Sequence, residues 1–253
     1  EPACSEPGVR VRRLGSAGGS DGGAEAAAAF EIEYRPLVAN EEAKEVPLSL
    51  ACAELGDYHY ILQLRATPPG SDSALHFKAA LGGAQVQTYR FTNYVPAATD
   101  FSCSTSTPEA FFVDTATVKA PAADGWEGAE VEVKVRFEPE KLGELRSVLT
   151  VKSAQGGEFV CPLYGVCKPP RPQGPLSIAN GGQTSIEFKN VFKEQREFVF
   201  ATDNPCFVPS TASANIASKK PQAVTIKYTA VEGKPKQGKL LVSCPSMRDV
   251  PPW

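Results

Sequence analysis

Histidine, methionine and tryptophan are scarce in this chain: two, one and two residues among 253. The two histidines, His59 in YHYILQL and His76 in ALHFKAAL, sit in strand-like runs. Neither has a companion arrangement for a Ser-His-Asp or Cys-His pair. No HExxH, DxD or CxxC spacing is present to hold a metal. A non-enzyme is therefore expected, with no cofactor, no metal and no small-molecule substrate. Apolar runs of the roughly 18–20 residues a membrane helix needs are also missing. A net charge of −3 and a pI near 5.6 exert no global pull toward nucleic acid or anionic lipid. Neither a membrane nor a nucleic-acid partner is expected. The first residues, EPACSEPGVRVRRLG, contain no apolar segment of signal-peptide type. They also lack Met, and the chain is read as a piece of a longer one. Helix-periodic segments are absent too, which leaves an all-β reading.

Proline (22) and glycine (21) are plentiful and recur between short β-branched or aromatic runs. In VEVKVRFEP, Val131, Val133, Val135 and Phe137 alternate with Glu132, Lys134, Arg136 and Glu138, the pattern of a strand with one dry and one wet face. Related strands begin at Phe30 (FEIEYRP) and Val224 (VTIKYTA). After each follows a second strand: VPLSLACA from Val46, SVLTVKSA from Ser147 and KLLVSCP from Lys239. A third follows in two copies, YHYILQLRATPP and EFVCPLYGVCKPP, both ending in a double proline. Upstream, QTYRFTN ending at Asn93 matches SIEFKN ending at Asn190, and Phe101 and Phe198 each lie eight residues on. A period of about 100 residues fits a whole sandwich of about seven strands.

The proline-rich stretches ATPPGSD (66–72) and CKPPRPQGP (167–175) are read as short, stiff joints. Three β-sandwich units are expected. Residues 1–69 form a partial one, interrupted by the Gly/Ala-rich loop 15–29. Residues 70–170 form a complete one, and 171–253 one lacking its last strand. The partial first unit either borrows a neighbouring strand or leaves its surface incompletely covered.

Seven cysteines, an odd number, alternate with apolar neighbours and are read as buried free thiols. Two features are candidate contact sites. Trp126, between glycines in DGWEG, is either an interaction anchor or a cap on the sandwich core. Lys234, Lys236 and Lys239 lie in GKPKQGK, at an expected hairpin between VTIKYTA and KLLVSC. They read either as a solvated turn or as a contact for an acidic surface.

The order VEVKVRFEP, KLGELRSVLTV, EFVCPLYGVC, and its partner SIEFKNVFKEQREFVF, VTIKYTA, GKLLVSC, resembles the ASH-type domains of the hydin-like proteins. These are immunoglobulin-like sandwiches akin to major sperm protein and PapD. The resemblance covers nearly all of residues 70–253 and half a unit before them. It implies a scaffold of the ciliary axoneme, in the projections of the central apparatus. Implied partners are other central-apparatus proteins, with microtubules as a further one. It transfers no catalytic residue. A cytoplasmic peptide-binding or chaperone-like adaptor is the alternative.

Overall fold

The computed structural model describes residues 2–14, 29–53 and 56–253. The Gly/Ala-rich stretch 15–29 falls outside these, apart from Ala29, which opens a strand. Among the described residues every regular element is a β-strand.

Strands fall into three groups that share no sheet. In the first, β1 (Pro2–Cys4), β4 (Asn40–Cys52) and β5 (Gly56–Ala66) form one sheet in the order β1-β4-β5, and β2 (Val9–Leu14) pairs with β3 (Ala29–Tyr34). Among the described residues only Val46, Leu48, Leu64 and Ala66 are buried hydrophobics here, while Ile32, Tyr58 and Tyr60 stand 43%, 47% and 52% exposed. The described part of this group is an open half-sandwich with five strands.

The second group closes. β6 (Leu75–Ala80), β8 (Thr99–Thr105), β10 (Thr117–Ala120), β12 (Gly143–Ser153) and β13 (Gly157–Lys168) form a sheet ordered β10-β8-β12-β13-β6. Against it lie β7 (Gln85–Asn93), β9 (Phe111–Val113) and β11 (Ala129–Phe137), ordered β7-β11-β9. The in-out alternation of β11 points Val131, Val133, Val135 and Phe137 inward, onto Phe91, Phe101, Phe111, Leu149, Val151 and Leu163. Burying each such side chain contributes about 1.5–3 kcal/mol. This group holds most of the hydrophobic core.

The third group repeats the plan with β14 (Gln183–Lys189), β16 (Phe207–Pro209) and β18 (Pro221–Tyr228) in one sheet. Its other sheet holds β15 (Arg196–Thr202), β17 (Ser213–Ile216) and β19 (Leu240–Ser243). Phe188, Phe198 and Phe200 meet between them, joined by Trp253, whose ring lies 5.6 Å from Phe188 and 6.1 Å from Phe198. The backbone of Trp253 exchanges two 2.9 Å hydrogen bonds with Val242. β6 pairs parallel with β13; residues 175–180 have no such neighbour among the described residues and form no strand.

Two sequence expectations change. The stretch between VTIKYTA and KLLVSC is not a hairpin: β18 and β19 belong to different sheets, so GKPKQGK crosses from one layer to the other. Alternation reveals that a segment is a strand with one dry face, but not which layer it joins. The thiols are all free, yet only five are buried. Cys4 and Cys52 are half-buried because they lie in the open first group, where little covers the sheet.

Candidate functional site: two joints and a basic loop

Each group contains a loop that starts directly after a strand ending in an aromatic residue. Tyr34, Phe137 and Tyr228 close β3, β11 and β18. The next residue donates its backbone N–H in the same way each time. Arg35 bonds Gly8 O (2.7 Å), Glu138 bonds Ala110 O (2.9 Å) and Thr229 bonds Cys206 O (2.9 Å). The three loops are structural equivalents, and the first two join one group to the next.

At the first joint, Arg35 reaches across to residues more than 50 positions away. Its guanidinium lies over the rings of Tyr94 and Trp126 at 4.3 and 4.5 Å. Its Nη1 donates to Trp126 O at 2.5 Å, and Trp126 Nε1 donates to Glu33 Oε1 at 3.1 Å. A cation on an aromatic face in a partly dry setting is worth about 0.5–2 kcal/mol. Gly157 (φ +78°) is a necessary part of the seam, because a Cβ there would collide with the carbonyl oxygen of Leu37. The remaining gap, lined by Pro7, Gly8, Leu37, Tyr94 and Trp126 among others, is about 20 Å³, room for about one water.

At the second joint the charges are reversed. Lys219 Nζ lies 3.1 Å from Glu138 Oε1 and 3.2 Å from Glu140 Oε1, with the three side chains 31%, 28% and 25% exposed. The same ammonium donates to Val191 O at 2.5 Å. Lys219 adopts φ +56°, a left-handed conformation that a side chain ordinarily avoids. That strain is held where the ammonium meets two hydrogen-bond acceptors, Glu138 Oε1 and Val191 O, and the nearby carboxylate of Glu140. Beside it Lys193 donates to Glu109 O at 3.1 Å and sits 5.0 Å from the Phe112 ring centre.

The receiving surfaces are organised by two buried asparagines, both 0% exposed. Asn93 Nδ2 donates to Pro121 O while its Oδ1 accepts from Val95 N. Asn190 Nδ2 faces the carbonyls of Glu194, Ile216 and Ala217 at 2.8, 2.9 and 3.2 Å, and its Oδ1 accepts from Phe192 N at 2.9 Å. Each ties the loop after one strand to the turn before another. Those segments carry Tyr94 and Trp126 at one joint, and Val191, Lys193 and Lys219 at the other.

The third loop, Thr229 to Lys239, carries the sequence-derived lysines. Lys234, Lys236 and Lys239 are exposed, and among the described residues none forms an ion pair. The loop backbone is nonetheless fixed. Buried Asn204 donates to Pro235 O and Gln237 O, both at 2.8 Å, and Lys239 N donates to Asp203 Oδ1 at 2.6 Å. Trp126 and the lysine loop are therefore not brought together, and Trp126 packs within the chain against the first strand group. His59 Nδ1 meets Ser49 Oγ at 2.9 Å, and His76 stacks on Tyr164 at 5.3 Å. Sequence reasoning missed Arg35, Glu138, Glu140, Lys193 and Lys219. The available signal was position: two of these residues directly follow the repeated alternating strand.

No protein-family profile matches the chain. It is 37% identical over 222 residues to the hydrocephalus-inducing protein of Mus musculus, and to the hydrocephalus-inducing protein homolog of Homo sapiens to the same degree. The match takes in 85% of this chain and 4% of each relative, so the chain spans a small fraction of their length. Among solved structures, the ASH/PapD-like domain 7 of human CEP192 aligns with 43% of this chain and 93% of that domain, at 12% identity and a TM-score of 0.32. The MSP-domain protein SSP-19 of Caenorhabditis elegans aligns with 36% and 94%, at 10% identity and a TM-score of 0.28. Across most of its residues, this all-β chain is thus similar to a short segment of the hydrocephalus-inducing proteins.

Proposed function

We propose that this chain is a segment of a non-catalytic scaffold of the ciliary axoneme, within the projections of the central apparatus, and that it supports ciliary motility. The observation that carries the reading is the repeated joint: equivalent loops, at Arg35 and Glu138, each fasten one strand group to the next. We divide the chain accordingly into units 1–69, 70–170 and 171–253. Short proline-rich linkers together with docked loops set the units at fixed spacing, which suits a protein that must hold neighbours apart and in register. Neighbouring central-apparatus proteins bind at sheet edges and end loops, microtubules being a further partner. Several weak contacts along one chain raise effective concentration enough to hold an assembly.

One observation favours a second reading, a cytoplasmic peptide-binding adaptor. β5 pairs only with β4 among the described residues, and its Tyr58, Tyr60 and Ile61 are exposed. Such an edge can accept an extended segment through backbone hydrogen bonds. Localisation of the tagged full-length protein in ciliated cells, followed by salt extraction of isolated axonemes, separates the two. A salt-resistant axonemal signal is expected of the scaffold. A diffuse signal, or release at modest salt, sinks it in favour of the adaptor.

A further inference from the structure

We infer that the loop Thr229–Lys239 is a third joint surface, built to dock a further β-sandwich of this same kind that presents carboxylates. The inference rests on the scaffold reading and deepens it by naming a surface and its occupant.

Equivalence of the loop comes first. Thr229 follows β18 as Arg35 follows β3 and Glu138 follows β11, and all three make the same backbone bond to the preceding turn. At both occupied joints this loop contacts the same place on its neighbour. The shared place is the turn before the next repeated strand (Trp126; Lys219). At the first joint Arg35 also meets the loop following the strand-ending asparagine, at Tyr94, while at the second that loop's Lys193 meets Glu109 and Phe112 beside the joint. Those receiving segments lie at the start of β18, by Pro221, whereas the loop Thr229–Lys239 leaves its end, after Tyr228. The two surfaces thus sit at opposite ends of the third unit, and occupation of one leaves the other free.

Charge then selects the occupant. Each described joint sets a charged loop against a receiver of complementary electrostatics. Arg35 meets the ring of Tyr94 and the ring of Trp126, the latter in a turn carrying Asp124 and Glu127, and Glu138 and Glu140 meet Lys219. The third loop offers Lys234, Lys236 and Lys239 against one acid, Glu232. Its surroundings agree: residues 171–253 hold eleven Lys and Arg against six Asp and Glu, whereas residues 1–170 hold fifteen against twenty-three. The complementary receiver carries Asp or Glu in that turn. A second copy of this chain is a poor fit, because the acidic turn of residues 70–170 is already covered by Arg35.

Shape adds a further reason. A merely solvated turn needs no internal fastening, yet buried Asn204 holds the loop by two carbonyls and Asp203 holds its far end. Ala230 N is bound by Asn180 Oδ1 at 2.8 Å as well. Fixing a loop before it binds lowers the ordering cost of association.

The test is zero-length crosslinking of the native full-length protein with a carbodiimide, which joins a lysine amine to a carboxylate in direct contact. Mass spectrometry then locates the links. Lys219 is expected to link to Glu138 or Glu140, and Lys234, Lys236 or Lys239 to Asp or Glu of another sandwich unit in the same polypeptide, outside residues 1–253. Links from these lysines to a different protein or to a second copy overturn the inference. So does their failure to link outside residues 171–253 while Lys219 links to Glu138. Loss of the Lys219 link itself would instead strike the joint reading on which the inference stands. The combined variant Lys234→Glu, Lys236→Glu, Lys239→Glu, with all three side chains exposed, should keep the melting temperature of residues 1–253 within about 2 °C and abolish the external links.

Discussion

Replacing Asn190 should damage both the third core and the joint it supports. Its amide spans three carbonyls and one N–H with no exposure to water. An Asn amide can make two donor bonds and one strong acceptor bond here, each worth about 1 kcal/mol net. Alanine therefore costs about 3–4 kcal/mol, since the abandoned carbonyls gain no new partner. That is a large share of the roughly 5–15 kcal/mol that holds a domain together. Aspartate is the more informative change. It keeps the bond from Phe192 N but turns a charged oxygen toward the carbonyls of Glu194, Ile216 and Ala217. At pH 7 Asn190→Asp should be at least as damaging as Asn190→Ala. Burial without a counter-charge raises the new carboxyl's folded pKa, so the folded state binds its proton more tightly. The variant is then most nearly native below the unfolded carboxylate pKa of about 3.9 and weakens as pH rises from there. Urea titration followed by Trp253 emission, in a Trp126→Phe background, reads this directly, because Trp253 packs on Phe188, Phe192 and Phe198. Variants within about 0.5 kcal/mol of the parent, or an aspartate better tolerated than alanine at neutral pH, would refute the assigned role.

Other perturbations separate the joints from the cores. Trp126→Ala removes the ring beneath Arg35 and the donor to Glu33; limited proteolysis within residues 66–72 should quicken several-fold while the Trp253 transition stays put, and an unchanged cleavage rate would show that the contact holds nothing. A double-mutant cycle of Lys219→Ala with Glu138→Ala should give a coupling of about 0.5–1 kcal/mol that shrinks at 1 M salt, and zero coupling at low salt would count against the second joint. Lys219→Gly relieves the φ of +56° yet deletes the bridge, so it should leave the third core as stable or more so while abolishing that coupling. Burial pushes the Cys167 thiol up to about 11, and raises Cys103 and Cys161 in the same direction. The folded state thus holds these protons more tightly than the unfolded chain, where a thiol loses its proton near 8.5. Stability from this source should be complete below about pH 8.5 and decline toward pH 11. A denaturation midpoint that rises over that window would contradict the burial argument.

Much of the fold was legible because a strand with one wet face leaves a period of two in the sequence, as Val131 to Phe137 do. The matched positions of Asn93 and Asn190 were visible as well, though not that each amide ties two loops together. Layer assignment was hidden: nothing in GKPKQGK distinguishes a hairpin from a crossover, since both need polar turn residues. The joints were hidden for another reason. Arg35 and Trp126 are 91 residues apart, and an Arg beside a Pro or a Lys in a turn looks like any solvated charge until the fold places its partner. Trp126 illustrates the limit well: its residue type suggested contact, and only the structure showed an intramolecular one.

The central claim is that the joints fix neighbouring units relative to one another. Residual dipolar couplings from the isotopically labelled chain in a dilute aligning medium test it most directly. The account predicts that one alignment tensor fits the backbone N–H vectors of both β6–β13 and β14–β19, and that Lys219→Ala splits the fit into two. Two tensors of different magnitude in the parent protein would mean that the units move independently, and the fixed-spacing scaffold would fall.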